Sequence, residues 1–413
     1  MSVRLDNALL VLPGRRAGVG SMETQGGRIL GIEMDSAARA DKLVIPGLVN
    51  AHAHSAMTLM RGLGSGLPLD RWLHEAIFPV EAKLKAAHVL VGAKWAAREM
   101  VAGGTTTVAD MYDFPDEGEK AFAAAGMRAN TCTVALPFIP GRIGKSVEYA
   151  SSPALGQLAM RDLCVHSEYL SSEEACFALA EANRTLCRPV HVHVSETKSE
   201  HEECIKRHGK TPMEYLASTG LFDHGGYAAH CVWCTDGDFE LMREKGVSLV
   251  HNPTSNLKLG SGIARVKRAM ELGVNVALGT DGCASNDDLD MFEEMRLAAL
   301  LACGTSHDPA ALSAWDAIEM ATANGARALG REGLGVLAPG APADFAVIDL
   351  KGCNLTPALD AANLVVYSAH ASDVMMTVVD GKVVYDRSKP DGGAADRAEF
   401  LGAVRDIGLG GFS

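Results

Sequence analysis

The sequence has no block of basic residues, no long apolar run and no recognisable leader. Its 38 Lys and Arg stand against 51 Asp and Glu, for a formal charge of −13, and the basic residues are scattered. Such a chain is not expected to bind nucleic-acid phosphates. No stretch approaches the roughly 20 apolar residues of a membrane span, and the N-terminal apolar stretch is short and lacks a small-residue cleavage site. We therefore expect a cytoplasmic protein that binds neither nucleic acid nor membranes.

The ten cysteines show no disulfide-like spacing, which agrees with a reducing compartment. Cys231 and Cys234 form one CxxC pair. A structural zinc site of this kind needs a second pair, and none has matching spacing. The cysteines therefore predict neither disulfides nor a cysteine-bound zinc.

The middle of the chain alternates strand-like and helix-like segments. The strand candidates are 43–52, 105–111, 127–134, 162–166, 188–194, 227–231, 247–252 and 275–281. Eight strands that alternate with helices predict an α/β fold, the (β/α)8 TIM barrel, over residues 44–335.

Both ends of the chain look β-rich instead. Residues 1–43 and 336–390 carry short alternating runs, and Asp380-Gly381 between two β-branched runs is a hairpin signal. We expect these two segments to form one small β-sandwich domain. Residues 391–413 are expected to form a C-terminal tail that ends in a short helix.

A pair of histidines follows the first apolar run of the predicted barrel. His52 and His54 lie two residues apart, so on a strand their side chains point to the same side. Two imidazoles at a strand end can bind one metal ion.

Other predicted strands also end in polar residues, where barrels of this kind place their chemistry. Buried imidazoles and carboxylates are costly unless they are paired or bound to metal. These positions are His52 and His54, Asp110, His166, His193 with Glu196, His230, Asn252 and Asp281. We predict a metal site formed by His52, His54, His193 and Asp281, with room for a water.

Two further residues are candidates for proton transfer. Glu196 lies three residues beyond His193 and could shuttle a proton, while His230 could hydrogen-bond the attacking water. His191 could replace His193 as a ligand, but we expect it one layer deeper in the barrel. No Lys stands at the end of strand four or five to bridge two metals, which favours one metal. Zinc suits this ligand set best, and iron(II), manganese or nickel also fit.

Together these residues resemble the amidohydrolase superfamily and, within it, the branch of methylthioadenosine/S-adenosylhomocysteine deaminases and chlorohydrolases. The matching stretches cover nearly the whole barrel. They are PGLVNAHAHSAMTLMRG (46–62), WLHEAIFPVEAKL (72–84), GGTTTVADMY (103–112), HVHVSET (191–197), AAHC (228–231), HNPTSNLKLGSGIA (251–264) and LGTDGCASNDDLDMFEEMRLA (278–298).

The resemblance implies the same four metal ligands, with Glu196, His230 and Asp281 as catalytic residues. It also implies that Glu81 holds ribose hydroxyls and that His166 contacts the substrate. Trp72 belongs to the loop that we expect to close over the base, and Arg142 is a looser candidate for a basic contact. The sequence departs from the branch at Thr133, where an arginine that helps to hold the substrate is usual. This argues against S-adenosylhomocysteine and leaves methylthioadenosine, 5′-deoxyadenosine, adenosine or another aminated heterocycle open.

The expected activity is the metal-dependent hydrolytic deamination of an aminated purine-type substrate. The candidates are adenine nucleosides: methylthioadenosine, 5′-deoxyadenosine, adenosine or S-adenosylhomocysteine. The alternative is hydrolysis of another aminated or chlorinated heterocycle of the triazine, guanine, cytosine or pterin type. A non-catalytic binding protein would be expected to lose the ligands that this chain keeps. The expected partner is a small molecule, and a homo-oligomer is left open.

Overall fold

The computed structural model describes residues 2–35, 37–389 and 393–410, which fold into a barrel and a sheet made from both ends of the chain. The strands of the end sheet, here the terminal sheet, are β1 Ser2–Leu12, β2 Arg16–Gln25, β3 Arg28–Met34, β4 Lys42–Pro46, β14 Phe345–Asp349, β15 Val374–Val379 and β16 Lys382–Asp386. Their order is β16-β15-β14-β4-β1-β2-β3, so the two ends of the chain meet where β14 pairs with β4.

The barrel strands are β5 Leu48–Ala53, β6 Thr105–Met111, β7 Arg128–Cys132, β8 Ala159–Arg161, β9 Leu163–Cys164, β10 Val190–Val194, β11 Gly226–His230, β12 Val247–His251 and β13 Val276–Leu278. They run parallel in the orders β5-β6-β7-β8 and β9-β10-β11-β12-β13. Only Asp162 separates β8 from β9, which together make the fourth strand. A parallel bridge from Ala53 to Asp281 closes the ring. The predicted eight-stranded α/β barrel is confirmed.

Helices follow the barrel strands and cover their outer face. They are α1 Leu69–Arg71, α2 Phe78–Glu81, α3 Ala86–Ala102, α4 Pro115–Ala125, α5 Arg142–Ser151, α6 Glu173–Leu186, α7 Lys198–His208, α8 Pro212–Ser218, α9 Asp236–Lys245, α10 Pro253–Lys258, α11 Val266–Glu271, α12 Met291–Ser306, α13 Ala314–Met320, α14 Ala323–Ala328, α15 Ala361–Asn363 and α16 Gly393–Asp406. A π-helical turn, Trp72–Ile77, joins α1 to α2. The barrel strands are largely buried, and apolar side chains from several of them pack with the surrounding helices in one extended cluster.

The first barrel strand differs from its prediction. The run 43–52 is not one strand, because β4 pairs with β1 and β14 while β5 pairs with β6. The chain changes sheets at Gly47, where a β-carbon would lie 2.3 Å from Oγ1 of Thr106. The change of sheet therefore falls at Gly47 and not between residues 43 and 44.

The helix α16 packs on the barrel. The ring of Phe400 stacks on Trp95 of α3 with the centroids 4.7 Å apart. Ala403 and Ile407 are buried in the same apolar cluster as Met57 and Trp72. The expected helix near the C-terminus is therefore present and attached to the barrel, while residues 391, 392 and 411–413 of the expected tail lie outside the described residues.

The structure tests only some of the expectations that rest on features the sequence lacks. Each of the ten cysteines has a free thiol, and both members of the CxxC pair are buried. In the described part of the chain, every helix is too short or too polar to cross a bilayer. The cytoplasmic location and the oligomeric state stay predictions.

Candidate active site

A cavity of about 590 Å³ opens at the carboxyl ends of the barrel strands. Most of the residues predicted for the site line it: His54, Trp72, Glu81, His166, His193, Glu196, His230 and Asp281. His52 is fully buried just behind this wall, and Arg142 is not among the lining residues. The barrel therefore brings the predicted metal ligands and proton-transfer residues to one place.

Two imidazoles face each other across the floor of the cavity. Nε2 of His54 lies 3.2 Å from Nε2 of His193. The Nδ1 atom of His54 is 2.6 Å from the carbonyl oxygen of Met111, and that of His193 is 2.6 Å from the carbonyl oxygen of His166. A carbonyl can only accept, so both Nδ1 atoms donate, and each Nε2 atom presents a lone pair whenever its ring is neutral.

The partner of His52 is another imidazole, that of His191, so either ring can be the donor. Nδ1 of His52 lies 2.7 Å from Nε2 of His191, one layer deeper in the barrel. With that nitrogen as donor, Nε2 of His52 is left as an acceptor. It is buried without a hydrogen-bond partner and lies 3.3 Å from Oδ1 of Asp281. His191 therefore occupies the deeper, hydrogen-bonded position that we expected and orients His52.

The acceptors that converge here fit a divalent cation. Oδ1 of Asp281 lies 3.2 Å from Nε2 of His54, and ligand atoms of His52, His54 and Asp281 all fall within 4.8 Å of one another. Lone pairs and a carboxylate at this spacing repel one another unless a positive charge lies between them. Burial alone would lower the pKa of His54, yet Asp281 outweighs it and raises that pKa to about 9, whereas burial lowers the pKa of His52 to about 4. The cluster thus stabilises positive charge, and its donors are those of a catalytic metal site.

Asp281 is held from its other side by two hydroxyls that the sequence did not single out. Ser255 and Ser285 donate to Oδ2 at 2.6 and 2.8 Å. This leaves Oδ1 facing the histidines and fixes the carboxylate. Both serines lie in motif stretches, 251–264 and 278–298, and Ser285 lies four residues beyond Asp281 in the turn that follows it. Their place in these stretches is the signal that could have identified them.

Glu196 and His230 lie beside the predicted metal ligands. Oε2 of Glu196 is 3.6 Å from Nε2 of His230, and Nδ1 of His230 is 2.8 Å from Oδ1 of Asn256. Burial raises the pKa of Glu196 above its ordinary value, against the opposing effect of His230. A carboxyl whose pKa is raised in this way holds a proton more readily than an exposed one and can pass it on. His230 also offers a ring nitrogen within 4.8 Å of those of His52 and His193, close enough to act as a further ligand.

Two of these side chains stand on unusual backbone. His230 has φ +71° and Asp281 has φ +62°, in the left-handed region that residues other than glycine seldom adopt. Each follows or ends a barrel strand, and the turn aims its side chain into the cavity. The surrounding barrel holds both conformations in place.

The opposite wall carries the residues expected to contact the substrate. Tyr112, which the sequence analysis missed, donates its hydroxyl to Oε1 of Glu81 at 2.8 Å. Burial raises the pKa of Glu81. Trp72 lies in the π-helical turn, and the ring of His166 packs on that of His193 at a tilt of 39° with the centroids 4.5 Å apart. These groups therefore surround the space in front of the predicted metal ligands.

Arg142 lies outside the cavity lining. Its Nε donates to the carbonyl oxygen of Val134 at 3.2 Å, and its Nη2 pairs with Asp113, which does line the cavity. Thr133, at the position where an arginine is usual, is buried and is not a lining residue. Among the residues that the structure describes, no Arg or Lys lines the cavity.

Three comparisons with known proteins agree with this arrangement. The profile of the amidohydrolase family matches residues 43–384. A 5-methylthioadenosine/S-adenosylhomocysteine deaminase of Acetivibrio thermocellus is 44% identical over 352 residues, which are 84% of this chain and 81% of that protein. A 5′-deoxyadenosine deaminase of Methanosarcina mazei is 42% identical over 380 residues, 88% of each chain. The crystal structure of an adenosine deaminase from Xanthomonas campestris with bound zinc superposes with a TM-score of 0.90 at 32% identity and covers 97% of both chains.

Proposed function

The chain belongs to the amidohydrolase family, and we propose that it uses one divalent metal ion to deaminate adenine nucleosides hydrolytically. The related proteins named above are deaminases of such nucleosides, and they cover most of this chain. The observation that carries the proposal is the convergence of three imidazole nitrogens and Asp281 beside Glu196, with Glu81 on the opposite wall of the same cavity.

His52, His54, His193 and Asp281 would hold the metal. When bound, the ion supplies the Lewis acidity that lowers the pKa of water and makes a hydroxide nucleophile available at neutral pH. Three nitrogen donors and one carboxylate favour zinc, while iron(II), manganese and nickel remain compatible with them. The zinc of the Xanthomonas campestris structure supports this choice.

Glu196 moves the proton that the reaction requires. Its carboxyl is buried, so its raised pKa lets it carry a proton that it can give to the ring nitrogen next to the amine-bearing carbon. Protonation of that nitrogen makes the carbon more electrophilic. Ser261 donates to Oε1 at 3.3 Å and helps to hold the carboxyl in place.

His230 and Asp281 orient the attacking water, and they orient its oxygen after it has bonded to the amine-bearing ring carbon. Asn256 fixes the His230 ring by accepting from Nδ1, so that Nε2 faces the reacting centre as an acceptor. Ser255 and Ser285 hold Asp281 in the same way, and its carboxylate can take a proton from water. Ammonia then leaves with the proton that Glu196 or Asp281 has received.

The nucleoside would lie between the metal ligands and the wall of the cavity that carries Glu81. A carboxylate can accept from both hydroxyls of a ribose diol, and Tyr112 keeps Glu81 in position for this. Trp72 and His166 line the space for the base. Burial lowers the pKa of His166 to about 3, so its ring is neutral at physiological pH and adds no charge beside the purine.

The test is ammonia release by the purified protein, with metal analysis of the same sample. The panel contains methylthioadenosine, 5′-deoxyadenosine, adenosine and S-adenosylhomocysteine, together with guanine, cytosine, a pterin and a chlorotriazine. We expect turnover of adenine nucleosides, about one equivalent of metal per chain and no comparable turnover of the other heterocycles. Preferred turnover of guanine, cytosine or a triazine would replace the proposed substrate class, and a protein that binds no metal would contradict the whole proposal.

A further inference from the structure

The carboxyl of Glu200 holds the backbone that carries Glu196. Its Oε1 accepts from the amide of Ser195 at 3.0 Å, and its Oε2 accepts from the amide of Glu196 at 2.7 Å. All three residues are buried. Burial raises the pKa of Glu200 to about 8, and each oxygen keeps an acceptor lone pair whether or not the group carries a proton. The two amides therefore have a partner in either protonation state of Glu200.

The residue before Glu196 stands on backbone that needs such support. Ser195 directly follows β10 and has φ +48°, in the left-handed region that residues other than glycine seldom adopt. Its hydroxyl oxygen lies 3.0 Å from Nδ1 of His201, and its carbonyl oxygen accepts from the amide of Trp233 at 2.9 Å. Contacts with Glu200 and these two residues thus hold the turn that leads from the strand to Glu196.

Glu200 occupies a position that elsewhere in this chain serves to cap a helix. It is the third residue of α7, and its amide donates to the hydroxyl of Thr197, the residue just before the helix. In α8, α9 and α13 the carboxylate at this position accepts from the amide of the residue before the helix, with distances of 2.8 Å for Thr211 to Glu214, 2.7 Å for Thr235 to Asp238 and 2.8 Å for Ser313 to Asp316. Glu200 interacts with the corresponding amide of Thr197 as well. Its further reach to Ser195 and Glu196 is not required for a helix cap.

We propose that Glu200 is a positioning residue for proton transfer, because its carboxyl keeps the side chain of Glu196 aimed at the reacting centre. This inference rests on the proposed function, in which Glu196 gives a proton to the ring nitrogen. Glu200 does not line the cavity, so it acts through Glu196 and not on the substrate. Proton transfer requires the two groups to lie within hydrogen-bond reach, and a misplacement of about 1 Å can lower a rate about 100-fold.

The first test is Glu200→Asp, which shortens the side chain by one methylene. Asp238 and Asp316 show that an aspartate at this position reaches the amide just before its helix. The variant should therefore still cap α7, with Tm and metal content close to those of the unmodified protein, while it releases the amides of Ser195 and Glu196. We expect kcat for adenine nucleosides to fall about 10- to 100-fold and KM to change by less than about threefold.

The matched control is Glu214→Asp. It makes the same substitution at the same position of α8, and Glu214 does not line the cavity. We expect its kcat to equal that of the unmodified protein. An equal loss of kcat in both variants would assign the effect to helix capping and overturn the inference.

The second test combines Glu200→Asp with Glu196→Gln. If Glu200 acts only through Glu196, the double variant should turn over within about threefold of Glu196→Gln alone, because a shuttle that is already lost cannot be misplaced further. A general structural defect would instead multiply the two losses.

The outcomes separate this inference from the proposed function. An unchanged kcat in Glu200→Asp, a loss of metal or Tm in parallel with kcat, or losses that multiply in the double variant overturn the inference and leave the proposed function intact. An unmodified protein that deaminates no adenine nucleoside overturns both.

Discussion

The hydroxyl of Tyr112 lies 2.8 Å from Oε1 of Glu81, and both side chains face the cavity in front of the predicted metal ligands. One carboxylate oxygen is thereby held in place. The carboxylate enters the binding step already oriented, so less conformational entropy is lost when a ribose diol binds.

Removal of this hydrogen bond should weaken nucleoside binding. We expect Tyr112→Phe to raise KM for adenine nucleosides about 3- to 10-fold with a much smaller change in kcat, the range that corresponds to the loss of one typical hydrogen bond. Turnover of free adenine, which has no ribose, should change little. Tyr149→Phe is the control, since its hydroxyl bonds to Thr131 and Glu119 outside the cavity. Equal effects of Tyr112→Phe on nucleoside and free base would remove the ribose role of Glu81.

The proton shuttle can be separated from the metal site. Glu196→Gln keeps the shape of the side chain and all four metal ligands but cannot release or take up a proton. We expect metal content and nucleoside binding close to those of the unmodified protein, with kcat lower by about 10²- to 10⁴-fold. Glu202→Gln, an exposed position on α7, serves as the control for loss of one carboxylate. Turnover within a factor of a few of the original value would contradict the assignment.

Removal of the metal should cost stability as well as activity. The buried nitrogens of His52, His54 and His193 and the Asp281 carboxylate lose the cation that offsets their mutual repulsion. We expect chelation to abolish ammonia release and to lower Tm, and added zinc to restore both. The measurement is a thermal scan of chelated, untreated and zinc-restored samples. A Tm that does not respond to chelation or zinc would argue against a metal at these residues.

A buried carboxyl remote from the cavity predicts a pH dependence of stability. Burial raises the pKa of Glu294, a residue of α12 that accepts from Asn286, to about 8. The folded chain therefore binds this proton more tightly than the unfolded chain does. The stabilisation is full below the ordinary glutamate pKa and is lost as the pH rises to about 8 and beyond.

Urea unfolding at pH 5 and pH 9 would measure this effect. We expect a loss on the order of 1–3 kcal/mol in the free energy of unfolding from this residue between the two values. Glu294→Gln should reduce the difference, whereas Glu293→Gln, at the exposed neighbouring position, should not. An unchanged pH dependence in Glu294→Gln would contradict the pKa of Glu294.

The barrel and the metal ligands could be predicted because their signals are local and repeated. Each apolar strand is short and ends in a polar residue, and parallel strands bring those ends together. His52 and His54 share a face through simple alternation along β5. Nothing comparable marked the change of sheet at Gly47, because β4 and β5 are both apolar and read as one run.

The interactions that hold the site were harder to foresee. Asp113 lies after β6 and Arg142 begins α5, so neither periodicity nor spacing indicates that they pair. The sequence suggested Arg142 as a basic contact for the substrate, and only the three-dimensional arrangement reveals that its charge is already matched. Tyr112 and the two serines that hold Asp281 likewise act through contacts between distant segments.

The last described helix has a practical consequence for work with this protein. Ile407, just beyond α16, is fully buried in the cluster that contains Trp72, and its carbonyl oxygen accepts from Lys83, two residues after Glu81. This segment thus supports the wall of the cavity that carries Trp72 and Glu81. A purification tag placed next to it, or a protease that clips this helix during preparation, would alter that wall while every metal ligand stayed intact. Samples should therefore be checked for an intact α16 before their kinetic constants are compared.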